Sequence, residues 1–200
     1  MKGQGVIGAF DPGDLRRDIV FEEWLRGNHL RFHTTWGLFS PRGIDEGTRL
    51  LLDHLEVRPD EQALDLGCGY GALGLAIARS APEGHCVLVD KDFVAVDYAR
   101  KNAHLNRIGN VEVMLSDGFS HVNRKGLTLV VSNLPAKTTK EHYYLFFYDA
   151  LQHLAPGGRL VVVVISGLRQ FIKRAFLEVF GNHKKIKQGR SYTVSMAVKR

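Results

Sequence analysis

Three stretches of the sequence place an acidic residue at or near the end of an apolar run, and two of them also contain glycine. They read ALDLGCGYGALG at residues 63–74, VLVDKD at 87–92 and LSDGF at 115–119. Glycines permit a tight turn and the close approach of a ligand to the backbone. Carboxylates at such turns can accept hydrogen bonds from hydroxyl and amino groups. Together the three stretches predict a site for a ligand that carries a ribose and an adenine.

The first stretch favours one class of nucleotide cofactor. Taken alone, Gly67, Gly69 and Gly71 suit NAD, FAD or S-adenosylmethionine (SAM). Their spacing is G-x-G-x-G, whereas the dinucleotide fingerprint is G-x-G-x-x-G. Asp65 lies two residues before the first glycine, and its charge would oppose a pyrophosphate but suit a cationic ligand end. These residues therefore disfavour a dehydrogenase.

The other two stretches supply acids for the rest of such a ligand. Asp90 ends an apolar run, where a carboxylate can accept both hydroxyls of a ribose. Alternatively it could cap the following helix, a role that Asp92 could also fill. Asp117 could accept a hydrogen bond from the exocyclic amine of an adenine, with Gly118 giving access to the backbone. An Asp-Gly pair is also common in ordinary turns.

The surrounding pattern predicts the elements that would position these residues. Apolar runs alternate with segments of helical periodicity, which indicates a mostly parallel sheet with helices on both faces. In such sheets the ligand lies outside the carboxyl ends of the strands. A hairpin turns at residues 26–28. The predicted strands of the sheet are 62–68, 85–92, 111–117, 127–133, 159–166 and 191–198, and the helices are 45–57, 71–81, 93–108, 140–154 and 168–180.

Length and composition bound the class of protein. The 200 residues suit one domain, which we place at residues 19–200 after a flexible lead-in over 1–18. Apolar residues make up 44% and charged residues 24%, as in ordinary globular domains. The longest apolar run, at 160–165, is too short to cross a bilayer, and the N-terminus lacks a signal-peptide core. We therefore expect a cytoplasmic protein without a membrane partner.

The charge of the chain favours a polyanionic partner such as RNA. The formal net charge is +6, and residues 183–200 carry several Lys and Arg but no acid. Clustered basic side chains are attracted to phosphates. Many basic proteins nevertheless bind no nucleic acid.

Metal and disulfide chemistry are not indicated. His29 and His33 are four residues apart, as helical metal ligands can be, but they lie in a strand-like segment without a nearby acid pair. We therefore predict no metal site. Cys68 and Cys86 are interpreted as small, reduced residues.

The stretches LDLGCGYGALG, VLVDKD, LSDGF, SNLPA and LAPGGRLVVVV resemble, in this order, the motifs of class I SAM-dependent methyltransferases. The upstream segment LRFHTTWGLFSPRGIDEGTRLLLDHL resembles the small methyltransferase-domain family, which includes the 16S rRNA guanine-N2 methyltransferases. The resemblance runs from about Trp24 to the C-terminus. It implies SAM as cofactor and a Rossmann-like α/β fold. That fold has a mostly parallel seven-stranded sheet, helices on both faces and a short N-terminal β-hairpin.

The resemblance also implies which residues hold the cofactor. Asp65 and the glycines after it would hold the methionine end, Asp90 the ribose and Asp117 the adenine. Phe39 and Ser40 would lie over the cofactor as a lid, although Phe39 could equally pack beneath a loop. The implied cofactor-binding residues are Phe39, Ser40, Asp65, Gly67, Cys68, Gly69, Gly71, Asp90, Lys91, Asp117, Gly118 and Asn133.

The stretch SNLPA stands where the family carries Asn-Pro-Pro and then a large residue. In the family, the Asn side chain and a backbone carbonyl accept hydrogen bonds from the target amine, so the rate arises from proximity and orientation. The resemblance therefore implies Asn133 and Pro135 as the catalytic residues. Leu134 and Ala136 depart from the family pattern, and Ala136 removes a surface on which a flat base would stack.

Residues near this stretch could bind the substrate. Lys137 and Lys140 could hold a phosphate beside the target nucleotide, or they could simply be solvated. Tyr143, Tyr144 or Trp36 could supply a stacking face, although the two tyrosines could instead pack in the core. We predict Lys137, Lys140 and Tyr143 as substrate-binding residues.

These expectations combine into one function and two rivals. The resemblance implies a SAM-dependent N-methyltransferase that acts on an exocyclic guanine amine of rRNA. The first rival is a methyltransferase of a protein amide or a small-molecule amine. The second is an RNA-binding protein that retains SAM but catalyses weakly, an idea motivated by Leu134 and Ala136. The sequence indicates no oligomeric state.

Overall fold

The computed structural model describes Gly13 and residues 17–200 of the chain. The predicted flexible lead-in lies outside the described residues, except for Gly13, Arg17 and Asp18. The strands are β1 Ile19–Leu25, β2 Asn28–Thr34, β3 Gln62–Leu66, β4 His85–Asp90, β5 Val111–Leu115, β6 Leu127–Asn133, β7 Leu154–Ile165, β8 Lys184–Gln188 and β9 Tyr192–Val198. The helices are α1 Glu46–His54, α2 Ala72–Ser80, α3 Phe93–Leu105, α4 Lys140–His153 and α5 Arg169–Phe180.

Seven of the strands form one sheet, in the order β5-β4-β3-β6-β7-β9-β8. The pairs from β5 to β7 are parallel, and β9 is antiparallel to both β7 and β8. The chain moves outward from β3 to β4 and β5, then returns to the other side of β3 to form β6. This reversal places the carboxyl ends of β3, β4 and β6 side by side, which is where open α/β sheets bind ligands.

Two hydrophobic cores cover the two faces of the sheet. Alternation along β6 shows the division, because the fully buried Val131 belongs to one core and its neighbour Val130 to the other. One core contains apolar residues of the β1–β2 hairpin, α1, α2 and α3. The other contains residues of α4 and α5, including Phe147 and Phe176. The predicted fold class is therefore confirmed, including the seven strands and the N-terminal hairpin.

Two side-chain amides, one on α3 and one directly after it, hold the hairpin against the body of the protein. Asn102 Oδ1 accepts a hydrogen bond from His33 N at 2.8 Å, and Asn102 Nδ2 donates to His33 O at 2.9 Å. Asn106 makes the same pair of bonds with the backbone of Arg31. These amides occupy backbone groups on β2 that would otherwise form an unpaired strand edge.

Asp18 anchors the start of the hairpin. Its carboxylate accepts hydrogen bonds from His33 Nδ1 at 2.6 Å, from Tyr98 Oη at 2.8 Å and from the Lys101 ammonium. Burial raises the pKa of Asp18, but the hydrogen bonds from Lys101, His33 and Tyr98 outweigh that effect and hold the pKa at about 2. Asp18, the last residue of the predicted lead-in, thus joins the hairpin to α3.

One strand boundary differs from the sequence prediction, and one strand was not predicted. The strand predicted at residues 159–166 begins at Leu154 and passes through Gly157 and Gly158. Gly157 N donates a hydrogen bond to Lys199 O, and Lys199 N donates one to Gly158 O, which keeps the segment extended. Strand β8 was missed, because its sequence KKIKQ has only one apolar residue and was interpreted as part of a basic tail. Lysines on an edge strand protect it from pairing with other chains.

A buried ion pair fixes the amino ends of the three central strands. Glu61, directly before β3, is fully buried and accepts hydrogen bonds from Thr128 Oγ1 on β6 and Arg159 Nη2 on β7, each at 2.5 Å. Burial raises the pKa of Glu61, but the bonds from Thr128 and Arg58 and the charge of Arg159 outweigh it and lower the pKa. Glu61 therefore stays ionised in the folded protein at neutral pH.

Replacing Arg159 with Met should lower the free energy of unfolding by about 2–4 kcal/mol at pH 7, because the Glu61 charge loses its buried partner. The pKa of Glu61 is lowered on folding, so its stabilising contribution is present above the ordinary value of 4.5. That contribution is lost as the pH falls through the lowered pKa of Glu61 in the folded protein. The free energies of unfolding of the variant and the wild type should therefore become more similar at acidic pH. Urea unfolding of both proteins, at pH 7 and at an acidic pH below the folded pKa of Glu61, tests this.

The matched control is Arg58→Met, which removes the more exposed partner of the same carboxylate. Exposed ion pairs contribute less than about 1 kcal/mol. Equal losses in the free energy of unfolding from the two substitutions would contradict the role of Arg159 as the main partner of Glu61.

Candidate functional site: a cofactor cavity with an amide clamp

A cavity of about 490 Å³ opens at the carboxyl ends of the parallel strands. Its walls come from the turns after β3, β4, β5 and β6, from the loop at residues 37–39, and from the starts of α1 and α4. This volume is typical of small-molecule and cofactor sites. The cavity therefore lies where the sequence pattern predicted the ligand.

The glycine turn after β3 leaves its backbone open to the cavity. Gly67 and Gly69 line the cavity with φ of +74° and +55°, and no atom of a described residue lies within 4 Å of a Cβ built at either position. Gly67 N and Cys68 N each donate to Val89 O at 2.9 Å, which fixes the turn against β4. A side chain at Gly67 or Gly69 would fill this open space and strain the turn.

Two residues of the turn differ in their surroundings from the open glycines. Cys68 lines the cavity but is buried, and burial raises the pKa of its thiol well above the ordinary value. Gly71 does not line the cavity. It occupies the left-handed position before α2, with a φ of +94°, and packs against Leu75. Gly71 therefore shapes the turn, and its predicted contact with the cofactor stays a prediction.

Asp65 is a buried carboxylate at the floor of the cavity. Its Oδ2 accepts a hydrogen bond from Gly74 N at 2.8 Å, and its side chain is almost fully shielded from solvent. Burial raises its pKa to about 7, the bond from Gly74 opposes this, and the nearby charge of Asp90 adds to it. A cationic ligand group beside Asp65 would restore the carboxylate to its charged form.

Asp90 faces the same cavity with both carboxylate oxygens tied to the backbone. Oδ2 accepts from Gly69 N at 2.9 Å and Oδ1 from Asp92 N at 3.0 Å. The helix cap is supplied by Asp92, whose Oδ1 accepts from Val94 N at 2.8 Å. Each Asp90 oxygen retains a further lone pair for a hydroxyl. The alternative of Asp90 as the cap of α3 is therefore wrong.

The third acid lies beside an aromatic ring that the sequence analysis missed. Asp117 is exposed and lines the cavity together with Gly118. A Cβ at Gly118 would lie 2.9 Å from Phe146 Cε1, so only glycine lets the Phe146 ring approach this closely. His142 packs on Phe146 with ring centroids 4.9 Å apart, and both line the cavity. Their spacing of four residues on a helix was the available signal.

The loop after β2 contributes one of its two predicted residues. Phe39 lines the cavity, and 63% of its surface is exposed. Ser40 does not line the cavity. Its Oγ donates to Gly43 O at 2.8 Å, and its backbone is in the left-handed region with a φ of +48°. Ser40 thus shapes the loop that carries Phe39, and its predicted contact with the cofactor stays a prediction.

Asn133 ends β6 in a network of hydrogen bonds. Its Nδ2 donates to Asp45 Oδ2 at 2.8 Å and to Thr48 Oγ1 at 3.0 Å. Asp45 Oδ1 in turn accepts from Tyr192 Oη at 3.0 Å. All four residues line the cavity.

The amide oxygen of Asn133 remains available as an acceptor. Among the described residues no donor reaches Asn133 Oδ1, and no buried polar side-chain atom there lacks a partner. It follows that Oδ1 is accessible from the cavity.

The two departures from the family motif have different consequences. Leu134 is buried in the core beneath α4, and its backbone N donates to Val163 O at 3.0 Å, so the aliphatic side chain serves packing. Pro135 and Ala136 are exposed and line the cavity. Ala136 therefore leaves open space where a large residue would stand.

Tyr143 was predicted as a stacking residue, and this is wrong. Its ring is 2% exposed and packs in the core, and its hydroxyl donates to Pro135 O at 2.5 Å. It therefore supports the loop from below. Tyr144 and Trp36 do not line the cavity, whereas Tyr192, Phe39 and Phe146 do. The aromatic faces are thus present but come from other positions.

The three predicted lysines do not share one place. Lys91 and Lys137 line the cavity. Lys140 is exposed at the first turn of α4 and does not line it.

In the part of the chain that the structure describes, no group of three His, Cys, Asp or Glu side chains could hold a metal ion. No helix there is long and apolar enough to span a bilayer.

Replacing Asp65 with Asn should stabilise the ligand-free protein at pH 8 but not at pH 4. The folded pKa is about 7 and the ordinary value is 3.8, so between these values the unfolded chain gives up a proton that the folded chain keeps. Stability therefore falls as the pH rises through this window. The gain for Asp65→Asn at pH 8 should reach up to about 4 kcal/mol in urea unfolding.

Asp92→Asn is the matched control, because Asp92 is exposed and Asn is an equally good helix cap. Its effect on the free energy of unfolding should be small compared with that of Asp65→Asn at pH 8. A gain for Asp65→Asn that is equal at both pH values would contradict the cause assigned to it.

Comparison with known proteins places this geometry in a family. Residues 29–196 match the family described as Methyltransferase small domain. The chain is 34% identical over 181 residues to Ribosomal RNA large subunit methyltransferase G of Streptomyces avermitilis, covering 88% of this chain and 47% of that protein. It is 36% identical over 149 residues to Ribosomal RNA small subunit methyltransferase C of Pseudomonas aeruginosa, covering 72% and 44%.

A solved structure is also similar. A 16S rRNA N2 G methyltransferase of T. thermophilus, in complex with AdoMet and guanosine, superposes with a TM-score of 0.81 and 28% identity, covering 90% of this chain and 50% of that one. The chain thus spans about half the length of the curated relatives it matches. The family match and the shared fold confirm the resemblance found in the sequence: this chain belongs to the small methyltransferase-domain family.

Proposed function

We propose that this chain is a SAM-dependent N-methyltransferase that modifies an exocyclic guanine amine of ribosomal RNA. The observation that carries the proposal is the accessible Oδ1 of Asn133, which lies in the same cavity as the open glycine turn and its three acids. The names of the relatives support it, since they are methyltransferases of both ribosomal subunits.

The cavity residues suit SAM in charge and in space. The ammonium group at the methionine end suits Asp65, whose carboxylate lacks a cationic partner among the described residues. Ribose hydroxyls suit the free lone pairs of Asp90, and the open backbone at Gly67 and Gly69 admits the ligand closely. Asp117 could accept from the adenine amine.

The flat adenine ring has an apolar neighbour within this arrangement. Phe146 lies against Gly118, next to Asp117, and presents a ring to the cavity. Aromatic rings stack favourably on nucleobases. The cofactor end of the cavity is therefore complementary to SAM along its whole length.

When bound, SAM supplies a methyl group activated by its positively charged sulfur. The residues of this chain orient the acceptor. Asn133 Oδ1 accepts a hydrogen bond from one N–H of the target amine, which turns the nitrogen lone pair toward the cofactor side of the cavity. The advantage over solution is one of proximity and orientation. No strong base is required if the amine releases its proton after methyl transfer.

Pro135 contributes rigidity to this arrangement. Its ring fixes φ, and the bond from the buried Tyr143 hydroxyl to its carbonyl holds the loop from the core side. Because Ala136 offers no stacking surface, the target base needs a face from elsewhere. Tyr192, two hydrogen bonds away from Asn133, is the aromatic residue nearest to the amide in this network.

The positive charge of the chain favours a nucleic-acid substrate over the rivals. Lys91 and Lys137 lie at the cavity, where the phosphates of an RNA substrate would approach. Positively charged side chains bind the phosphates of a nucleic acid by electrostatic attraction. A protein amide or a small amine would gain nothing from them.

The first experiment is calorimetric titration with SAM and S-adenosylhomocysteine, followed by transfer of labelled methyl to total rRNA. The proposal expects binding and transfer, and nuclease mapping should locate the label at guanine N2. Binding without transfer to RNA would favour a protein or small-molecule amine or a weak catalyst. Failure to bind either compound would overturn the proposal.

Replacing Asn133 with Ala should lower kcat ten-fold or more, because the amine loses its orienting acceptor. The Kd for SAM should stay nearly unchanged, since the side chain acts on the substrate. Asn123→Ala, at an exposed position away from the cavity, serves as control. A parallel loss of SAM affinity would assign Asn133 to cofactor binding instead.

The double substitution of Lys137 and Lys140 by Ala should reduce the slope of log K against log salt for rRNA binding by about 1.5, at about 0.7–0.9 per phosphate contact. The double substitution of Lys184 and Lys185 removes the same charge at the start of β8, and it should change the slope less. Equal changes would show that RNA binding is a general effect of net charge.

A further inference from the structure

The Asp45 carboxylate joins three distant parts of the chain at the cavity. Oδ2 accepts hydrogen bonds from Gly47 N at 2.9 Å and Thr48 N at 3.1 Å, which cap α1, and also from Asn133 Nδ2 at 2.8 Å on β6. Oδ1 accepts from Tyr192 Oη at 3.0 Å on β9. Both oxygens are therefore used, which fixes the side chain.

This arrangement decides which way the Asn133 amide faces. A carboxylate can only accept hydrogen bonds, so the group that Asn133 turns toward Asp45 must be its NH₂. Thr48 Oγ1, at 3.0 Å from the same nitrogen, could accept or donate and does not impose a direction by itself. Since Nδ2 is held on the Asp45 side, Oδ1 is the atom left for the cavity.

We propose that Asp45 is a positioning residue of the transfer reaction, which orients the Asn133 amide so that it presents an acceptor to the target amine. This inference rests on the proposed function and deepens it. An amide turned the other way would present its NH₂, and it would repel an N–H donor and attract a carbonyl oxygen. Guanine carries both kinds of group, so the orientation selects the amine over the O6 carbonyl.

Tyr192 and Gly47 hold Asp45 in place from the other side. A Cβ at Gly47 would lie 2.7 Å from Tyr192 Cδ1 and 2.9 Å from Asp45 Oδ2, so only glycine leaves room for both groups. Burial raises the pKa of Tyr192, and its hydrogen bond to Asp45 raises it further. Its hydroxyl thus remains a donor across the neutral range.

A helix-capping role alone would not require this geometry. Capping uses only the bonds to Gly47 N and Thr48 N, and Ser or Asn caps helices about as well as Asp. The bonds to Asn133 and Tyr192 are additional. Substitutions that keep the cap but change these bonds therefore separate the two roles.

The test compares Asp45→Ser with Asp45→Asn. Ser keeps the cap, but it loses the two-oxygen bridge to Asn133 and Tyr192. We expect kcat for methyl transfer to rRNA to fall about 10- to 100-fold, the scale of a misplaced reacting group, with the Kd values for SAM and rRNA within about twofold of wild type. Asn keeps an oxygen for the cap and for Asn133 Nδ2, and the Tyr192 hydroxyl can turn to accept from it. Asp45→Asn should therefore restore kcat to within about threefold of wild type.

A second measurement follows the Asn133 side-chain amide directly and does not depend on enzyme activity. The side-chain NH₂ signal of Asn133 in ¹⁵N NMR is assigned by its absence in Asn133→Ala. Its exchange with solvent should be slow in wild type and in Asp45→Asn, and fast in Asp45→Ser. If Asp45→Ser does not fold, Tyr192→Phe keeps the ring against Gly47, loses only the hydroxyl and should lower kcat about fivefold.

The outcomes separate this inference from the function on which it rests. A wild-type protein that binds SAM but transfers no methyl to rRNA overturns the proposed function. Transfer by wild type together with an unimpaired Asp45→Ser overturns the positioning role. An Asp45→Asn variant as slow as Asp45→Ser overturns it as well, because the negative charge would then matter instead of the orientation.

Discussion

The parallel pairing of β3 with β4 and β6 is the constraint on which the site depends. Because these strands run in one direction, their carboxyl ends meet at one edge, and the acids at the ends of β3 and β4 line the same cavity as the amide that ends β6. The buried Glu61 fixes the opposite ends of the central strands. The register set there determines which residues reach the cavity, so the chemistry of one edge depends on an ion pair at the other.

Much of this arrangement could be predicted from the sequence, because its signals are local. Asp65, Asp90 and Asn133 each lie at the end of an apolar strand, the glycine turn follows one, and periodicity locates those strands. The alternation of strands and helices then fixes the parallel sheet. Strand β8 was missed because its lysines give no alternation, and its place in the sheet depends on pairing with β9 and on the packing of Ile186 against the core.

The remainder of the site could not be predicted, because it depends on contacts between distant residues. Tyr192 reaches Asp45 across 147 positions of the chain, and no local pattern indicates that meeting. Tyr143 shows the converse, since an aromatic residue near the motif has a plausible local role but is turned into the core by α4. Gly47 lies within a predicted helix, and the need for glycine at this position arises from the distant Tyr192 ring that packs against it.

The contacts of Asn102 have a mechanical consequence. The same Nδ2 that donates to His33 O on the hairpin also donates to Tyr70 O in the glycine turn, at 2.9 Å in both cases. Tyr70 in turn donates through its hydroxyl to Gly43 O in the loop that carries Phe39. One buried amide and one phenol thus couple three segments that flank the cavity. A displacement of the hairpin would therefore strain hydrogen bonds at the glycine turn and at the rim of the cavity as well.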